Sequence, residues 1–284
     1  MSLREGAAAP QDRPAATISI ENERRKGLAA GVTREENLPF LRTPSGSARG
    51  GVLLVHGFTA SPWEMRSPAE ALAQAGFLCH AVRLPGHGTT PEDLAGRSCE
   101  EWQEAVERGY RLLAEQTDRV YGVGMSTGAL LLLTLAEIRP LEGVVLLSPF
   151  LRLRHRLAPG AGLLRYFLRF QKRSLPAELA PYYYELRPVN GVYQLYRLVR
   201  KVRRLLRGLR LPVLVINARG DSTIDPASGA ELYRRLGSTT KEHHLLGEEV
   251  SHILTTEENP RLAETLKLIS GFLDRLDRLR GPGR

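Results

Sequence analysis

The chain has 284 residues, 42% hydrophobic and 25% charged, the balance of a soluble globular protein with enough length to bury a large core. No apolar run reaches the roughly 18 residues of a membrane span, and residues 1–16 lack the continuous apolar stretch of a signal peptide, so a cytoplasmic protein is expected. The net charge of +9 is uneven: residues 151–210 hold 15 Lys and Arg against Glu178 and Glu185, a net of +13, and the remainder sums to −4.

In chain order, the first 36 residues are polar and predict a loosely docked arm. Gly51 to Val55 is a short apolar run of the kind that forms a strand buried on both faces. Ser61-Pro62-Trp63-Glu64 predicts a helix start, with Ser61 as cap and Pro62 at the first position, and Gly76 closes that helix. A strand at Phe77 to Val82 leads into the loop Leu84-Pro85-Gly86-His87-Gly88. Ser98-Cys99-Glu100-Glu101 reads as a capping box opening a helix to about Glu115.

Strands at Arg119 to Val123 and Gly143 to Ser148 flank a helix from Thr127 to Ile138. Beyond the basic segment come a strand at Pro212 to Asn217, a helix from Asp225-Pro226 to Leu236, and a strand near Glu242 to Leu246. Asn259-Pro260 caps a last helix that ends before Gly281-Pro282-Gly283. The two cysteines, Cys79 and Cys99, sit in no metal-binding or redox spacing, and an intracellular chain argues against a disulfide between them.

Alternating strands and helices with apolar strands predict the α/β class, a mostly parallel central sheet with helices on both faces. Ligand chemistry in such sheets gathers at the carboxyl ends of the strands. Gly124-Met125-Ser126-Thr127-Gly128 fits G-x-S-x-G between a strand and a helix, which exposes Ser126 on a tight turn beside free helix N–H groups. A serine nucleophile needs a histidine base and a carboxylate to orient it, in the chain order serine, acid, histidine for this layout.

His252, on the loop after the last strand, satisfies that order; His56, His80 and His87 precede the serine, His155 falls in the basic segment, and His243 and His244 fall within a strand. Asp221 follows the strand Pro212 to Asn217, and its rival Asp225 reads as a helix cap. The expected oxyanion donors are the backbone N–H groups of Phe58 and Thr127. His56 is expected to anchor the loop and to take no part in proton transfer.

With these residues in place the chain resembles the α/β-hydrolase superfamily, and within it bacterial carboxylesterases and monoacylglycerol lipases. The resemblance rests on Leu53-Leu-Val-His-Gly-Phe-Thr59, Arg83-Leu-Pro-Gly-His-Gly-Thr89, Gly124-Met-Ser-Thr-Gly128, Ala218-Arg-Gly-Asp221 and Ser251-His252, in order along residues 50–275. It implies Ser126 as nucleophile, His252 as base, Asp221 as its orienter and Phe58 and Thr127 as oxyanion donors. Thr127 stands where the family often has Met. The two antiparallel strands that open many relatives are not evident before Gly50.

The expected division is an arm at 1–36, a hydrolase core at 37–150 and 211–279, and an inserted basic helical cap at 151–210. In the cap, Leu195, Leu198, Val199, Val202, Leu205, Leu206 and Leu209 recur at helical spacing opposite Arg and Lys. That pattern suits a helix packed on the body with a solvated basic face, or contact with an anionic lipid surface. Phe167, Phe170 and Tyr182-Tyr183-Tyr184 are candidates to line an acyl pocket.

The expected activity is serine carboxylic-ester hydrolysis on a small acyl-ester substrate, with no cofactor, no metal and no nucleic-acid partner. The alternatives are a thioesterase or acyltransferase using the same residues, or a non-catalytic basic protein that binds membrane surfaces.

Overall fold

The computed structural model describes residues 19–152, 161–225 and 227–279. Ser19 caps helix α1 (Ile20–Ala29), its side chain accepting the Asn22 N–H. After a 3-10 turn at Glu35–Asn37 come strands β1 (Phe40–Arg42) and β2 (Gly51–Val55). A second 3-10 turn (Pro62–Met65) runs into α2 (Arg66–Gln74), followed by β3 (Leu78–Val82) and the short α3 (Pro91–Ala95). Helix α4 (Cys99–Ala114) begins with the complete Ser98–Glu101 capping box. Then come β4 (Val120–Met125), α5 (Thr127–Leu135), β5 (Val144–Leu147) and the one-turn α6 (Ala161–Leu164). A hairpin of β6 (Phe170–Lys172) and β7 (Leu186–Pro188) leads into α7 (Val189–Leu205). The chain closes through β8 (Val213–Ala218), α8 (Ala227–Arg235), β9 (Lys241–Leu246) and α9 (Leu262–Leu279).

The main sheet has seven strands in the order β1-β3-β2-β4-β5-β8-β9. Every pairing is parallel except that of β1 with β3. Parallel strands need helical crossovers, which cover both faces and explain why β2, β3, β4, β5 and β8 are buried at every position. Leu53 and Val55 pack on one face with residues of α4, α5, α7 and α8, while Val52 and Leu54 pack on the other with residues of α2 and α9. Helix α5, apolar all round, is buried along its whole length; each fully buried leucine contributes about 2 kcal/mol. No described helix is long and apolar enough to cross a membrane.

Within the basic segment, α7 is the crossover helix that returns the chain from β5 to β8. Leu195, Leu198, Val199 and Val202 are buried in the core on the side of α5, while Arg200, Lys201, Arg204 and Arg207 face solvent. The part that leaves the layered core is α6 with the β6–β7 hairpin.

Three expectations are corrected. Residues 20–29 of the polar arm form a helix, because Ser19 supplies a cap and Glu21 and Glu23 favour its first turn; residues 1–18 lie outside those described. One antiparallel strand precedes Gly50: β1, three residues long at the sheet edge, too short for a visible alternation. Ser61 does stand at the N-cap position with Pro62 after it, but the element it opens is a 3-10 turn and its side chain does not cap it: the hydroxyl donates to Asn37 Oδ1 at 2.6 Å. His155, Pro226 and the Gly281-Pro282-Gly283 terminus also lie outside the described residues.

Candidate active site

Strand β4 enters the middle of the sheet and turns into α5 through Ser126, whose backbone sits at φ 54°, ψ −107°. A positive φ strains a residue with a Cβ by about 1–3 kcal/mol, and it lifts the side chain out of the turn. The surrounding glycines have a steric cause. A Cβ on Gly128 would lie 2.0 Å from the Val55 carbonyl oxygen, and one on Gly124 would lie 2.5 Å from the Gly128 carbonyl carbon. The Ser126 N–H donates to the Leu147 carbonyl at 2.7 Å, which ties the turn to β5.

The loops after β8 and β9 bring Asp221 and His252 to this turn. His252 Nε2 lies 3.0 Å from Ser126 Oγ, and its Nδ1 lies 2.6 Å from Asp221 Oδ2. Asp221 is only 2% exposed, and its Oδ1 accepts the N–H groups of Thr223 at 2.8 Å and Ile224 at 3.0 Å. The carboxylate is thereby fixed before it meets the imidazole. Ser148, at the end of β5 with φ 45°, donates its hydroxyl to the His252 carbonyl at 2.8 Å. Asp225 accepts the Ala227 N–H, as a helix cap does. The arrangement can move a proton from a hydroxyl to an imidazole held in one orientation.

The third component is the loop after β2. His56 is fully buried; Nδ1 lies 2.9 Å from the Gly57 carbonyl, and Nε2 accepts the Leu84 N–H at 3.2 Å. Those partners call for the neutral ring, and burial pulls its pKa down to about 4. His56 therefore braces the loop. Glu64 grips it from the other side: Oε2 accepts the Gly57 N–H at 2.6 Å and Oε1 accepts the Tyr183 hydroxyl at 2.7 Å. Burial raises the Glu64 pKa, with the Gly57 bond opposing the rise. Among the described residues, the N–H groups of Phe58 and Thr127 have no acceptor.

These groups line a cavity of about 610 Å³ that contains Ser126, His252, Phe58 and Thr127. Tyr183 also lines it, while Tyr182 stacks on Trp63 with ring centroids 3.9 Å apart and Tyr184 hydrogen-bonds the Gly86–Thr89 loop. Phe167 and Phe170 do not line it; Phe167 is 81% exposed, because the one-turn α6 gives it no layer to pack against. Arg173 and Arg187 reach into the cavity from the hairpin. No cluster of His, Cys, Asp and Glu among the described residues could hold a metal ion.

The model of the alpha/beta hydrolase family matches residues 52–269, which covers the sheet from β2 to β9 and all three loops above. The chain belongs to the alpha/beta hydrolase family. This alpha/beta hydrolase is 32% identical over 196 residues to a thermostable monoacylglycerol lipase of Bacillus sp. (strain H-257), covering 68% of this chain and 78% of that protein. It is 28% identical over 233 residues to a carboxylesterase of Bacillus subtilis (strain 168), covering 80% and 93%. Among solved structures it is similar to one from work on the metagenome-derived lipolytic enzymes LipS and LipT. There the TM-score is 0.76 and the identity 26%, over 85% of this chain and 98% of that one.

All five residues singled out in the sequence, Ser126, Asp221, His252, Phe58 and Thr127, meet at this one point of the hydrolase. Four that matter were missed. Glu64 resembles an ordinary first-turn acid, and its partner Tyr183 lies 119 residues away. Ser148 follows β5 with no motif around it. Arg173 and Arg187 are lost in a basic run, since charge counts do not say which way a side chain points; only the period of the hairpin could have separated them from the solvated face of α7.

Proposed function

We propose that the chain hydrolyses carboxylic esters through an acyl-enzyme on Ser126. The observation that carries this is the relay from Ser126 Oγ to His252 Nε2 at 3.0 Å and from His252 Nδ1 to Asp221 Oδ2 at 2.6 Å. Ser126 Oγ attacks the ester carbonyl and passes its proton to His252, while Asp221 holds the ring and offsets its positive charge. The N–H groups of Phe58 and Thr127 receive the developing oxyanion; a donor fixed in advance in such a position is worth on the order of 10²–10³ in rate. His252 then protonates the departing alcohol, and a water activated by the same imidazole releases the acid.

The carboxylesterase and monoacylglycerol lipase relatives favour oxygen esters over thioesters or acyl transfer. A non-catalytic role is disfavoured by the completeness of the relay. The test is hydrolysis of 4-nitrophenyl butyrate by wild type and Ser126→Ala: the reading expects the variant to lose activity by on the order of 10³-fold or more, and equal rates would end it.

A core at 37–150 and 211–279 with a covering part inside residues 151–210 belongs to the same proposal; α6 and the hairpin do the covering, while α7 returns the chain to the core. A cytoplasmic setting is supported by Cys79 and Cys99, both buried as free thiols. A lipid-facing role for the cap is supported by Leu163, Tyr166 and Phe167, 70%, 71% and 81% exposed, beside Arg165, Arg169 and Lys172. Apolar side chains ringed by cations suit an anionic bilayer surface. Co-sedimentation with phosphatidylglycerol vesicles, and not with phosphatidylcholine vesicles, is the expected result; equal recovery with both removes this part.

A further inference from the structure

The β6–β7 hairpin places two guanidinium groups, Arg173 and Arg187, in the cavity that holds Ser126. Gln171 on β6 pairs with Arg187 on β7, and the Arg173 N–H donates to the Glu185 carbonyl at 2.9 Å, so both residues ride on one small rigid unit. Arg173 is anchored: Nε donates to the Tyr184 carbonyl at 3.1 Å and Nη2 to Thr59 Oγ1 at 2.9 Å. The Arg187 side chain makes no hydrogen bond or ion pair with any described residue.

Two like charges drawn out of water toward each other are costly, and a fold keeps them where an opposite charge completes the site. Burial pulls Arg173 down to about 10, helped by its repulsion from Arg187, and burial lowers Arg187 as well. Among the described residues that line the cavity the one carboxyl group is Glu64, and its oxygens accept the Gly57 N–H and the Tyr183 hydroxyl. It makes no ion pair with either arginine. Glu64 still favours the charge on Arg173 from a distance, but no acid among the described lining residues does so for Arg187, whose countercharge has to come from the ligand.

We infer that the cavity takes a carboxylic ester bearing a second, anionic group, a carboxylate or phosphate, which Arg187 and the remaining N–H groups of Arg173 bind while Ser126 reacts with the ester. The inference rests on the ester-hydrolase reading above and names its substrate class. Guanidinium is suited to the task, since its planar fork matches carboxylate and phosphate oxygens. The neutral remainder of the ester would lie along Phe150, Val192, Leu195 and Ile224, which line the same space.

Two matched pairs test it: mono-4-nitrophenyl glutarate against 4-nitrophenyl pentanoate, and 1-butyrylglycerol 3-phosphate against 1-butyrylglycerol. In wild type the anionic member of at least one pair has a kcat/KM about tenfold or more above its neutral partner, the scale of one charge-assisted contact. The pair that shows it tells whether the anion sits on the acyl or the alcohol side. Arg187→Gln brings the ratio to about one by raising KM for the anionic ester, and Arg187→Lys restores part of it.

A wild-type ratio of one or below in both pairs overturns the inference, and that reading does not depend on how well a variant folds. A ratio unchanged in Arg187→Gln also overturns it, since a merely structural arginine would affect both esters alike. Hydrolysis of neutral esters alone leaves the ester-hydrolase reading standing while removing the anion site. Cleavage of no ester at all overturns both.

Discussion

Glu64 accepts the Gly57 N–H at 2.6 Å, one residue ahead of Phe58, whose own N–H is the proposed oxyanion donor. The same carboxyl group takes the Tyr183 hydroxyl from the cap at 2.7 Å, so a single buried side chain couples the donor loop to the covering segment. His56 pins the opposite side of that loop.

Glu64→Ala leaves the Gly57 N–H and the Tyr183 hydroxyl buried without partners, at about 1–3 kcal/mol each. Stability should fall by that order and kcat more than KM, because the loop loses its grip on the donor. Glu64→Gln keeps an acceptor for Gly57 and offers a donor to the tyrosine oxygen, so it should recover most of both. Urea unfolding and steady-state kinetics on the pair check this; equal damage from Gln and Ala would refute the hydrogen-bonding account.

Asp221→Asn keeps the shape of the acid but can present an amide donor to His252 Nδ1, which favours the wrong tautomer. A fall in kcat on the order of 10³–10⁴-fold is expected, with KM little changed. Asp225→Asn, at the helix cap, should alter kcat by less than about twofold and serves as the control.

The backbone at Ser126 predicts a difference between two inactive variants. Ser126→Gly removes the Cβ at φ 54° and relieves strain, whereas Ser126→Ala retains it. After the entropy that glycine adds to the unfolded chain, the glycine variant should be more stable than the alanine variant by about 1 kcal/mol. Thermal unfolding of the two decides, and a less stable glycine variant would contradict the strain.

His56 and His80 are fully buried, with burial pulling each from 6.5 to about 4, and burial holds His87 well below its ordinary value. A depressed folded value means that the unfolded chain binds protons first. The stability is therefore fully present above pH 6.5 and is lost as pH falls toward 4. Each of His56 and His80 contributes up to about 3 kcal/mol over that window. Denaturant midpoints at pH 7 and pH 4.5 should differ strongly, and His80→Met should narrow the gap; a midpoint flat with pH would exclude it.

The layered sheet and the Ser126, Asp221 and His252 positions could be read from the chain because each depends on local rules. Buried parallel strands are apolar runs, and the tight turn needs Gly124 and Gly128 whatever lies elsewhere. The β1 strand, the helix α1 and the Glu64–Tyr183 bond were not legible for the opposite reason. Three residues at an edge carry no period, a polar helix is held by its cap and a few contacts, and a bond across 119 residues exists only once the cap has folded over the core. The inward arginines fall in the same class: Arg173 and Arg187 look like the solvent-facing Arg200 and Arg204 until the hairpin gives them a direction.

The most direct measurement is intact-protein mass spectrometry after exposure to a fluorophosphonate ester, followed by peptide mapping. The account predicts one adduct per chain, carried by Ser126, formed at a rate that drops sharply in Asp221→Asn and not formed at all in Ser126→Ala. A chain that stays unlabelled under the same conditions, or one labelled at another serine, would contradict it.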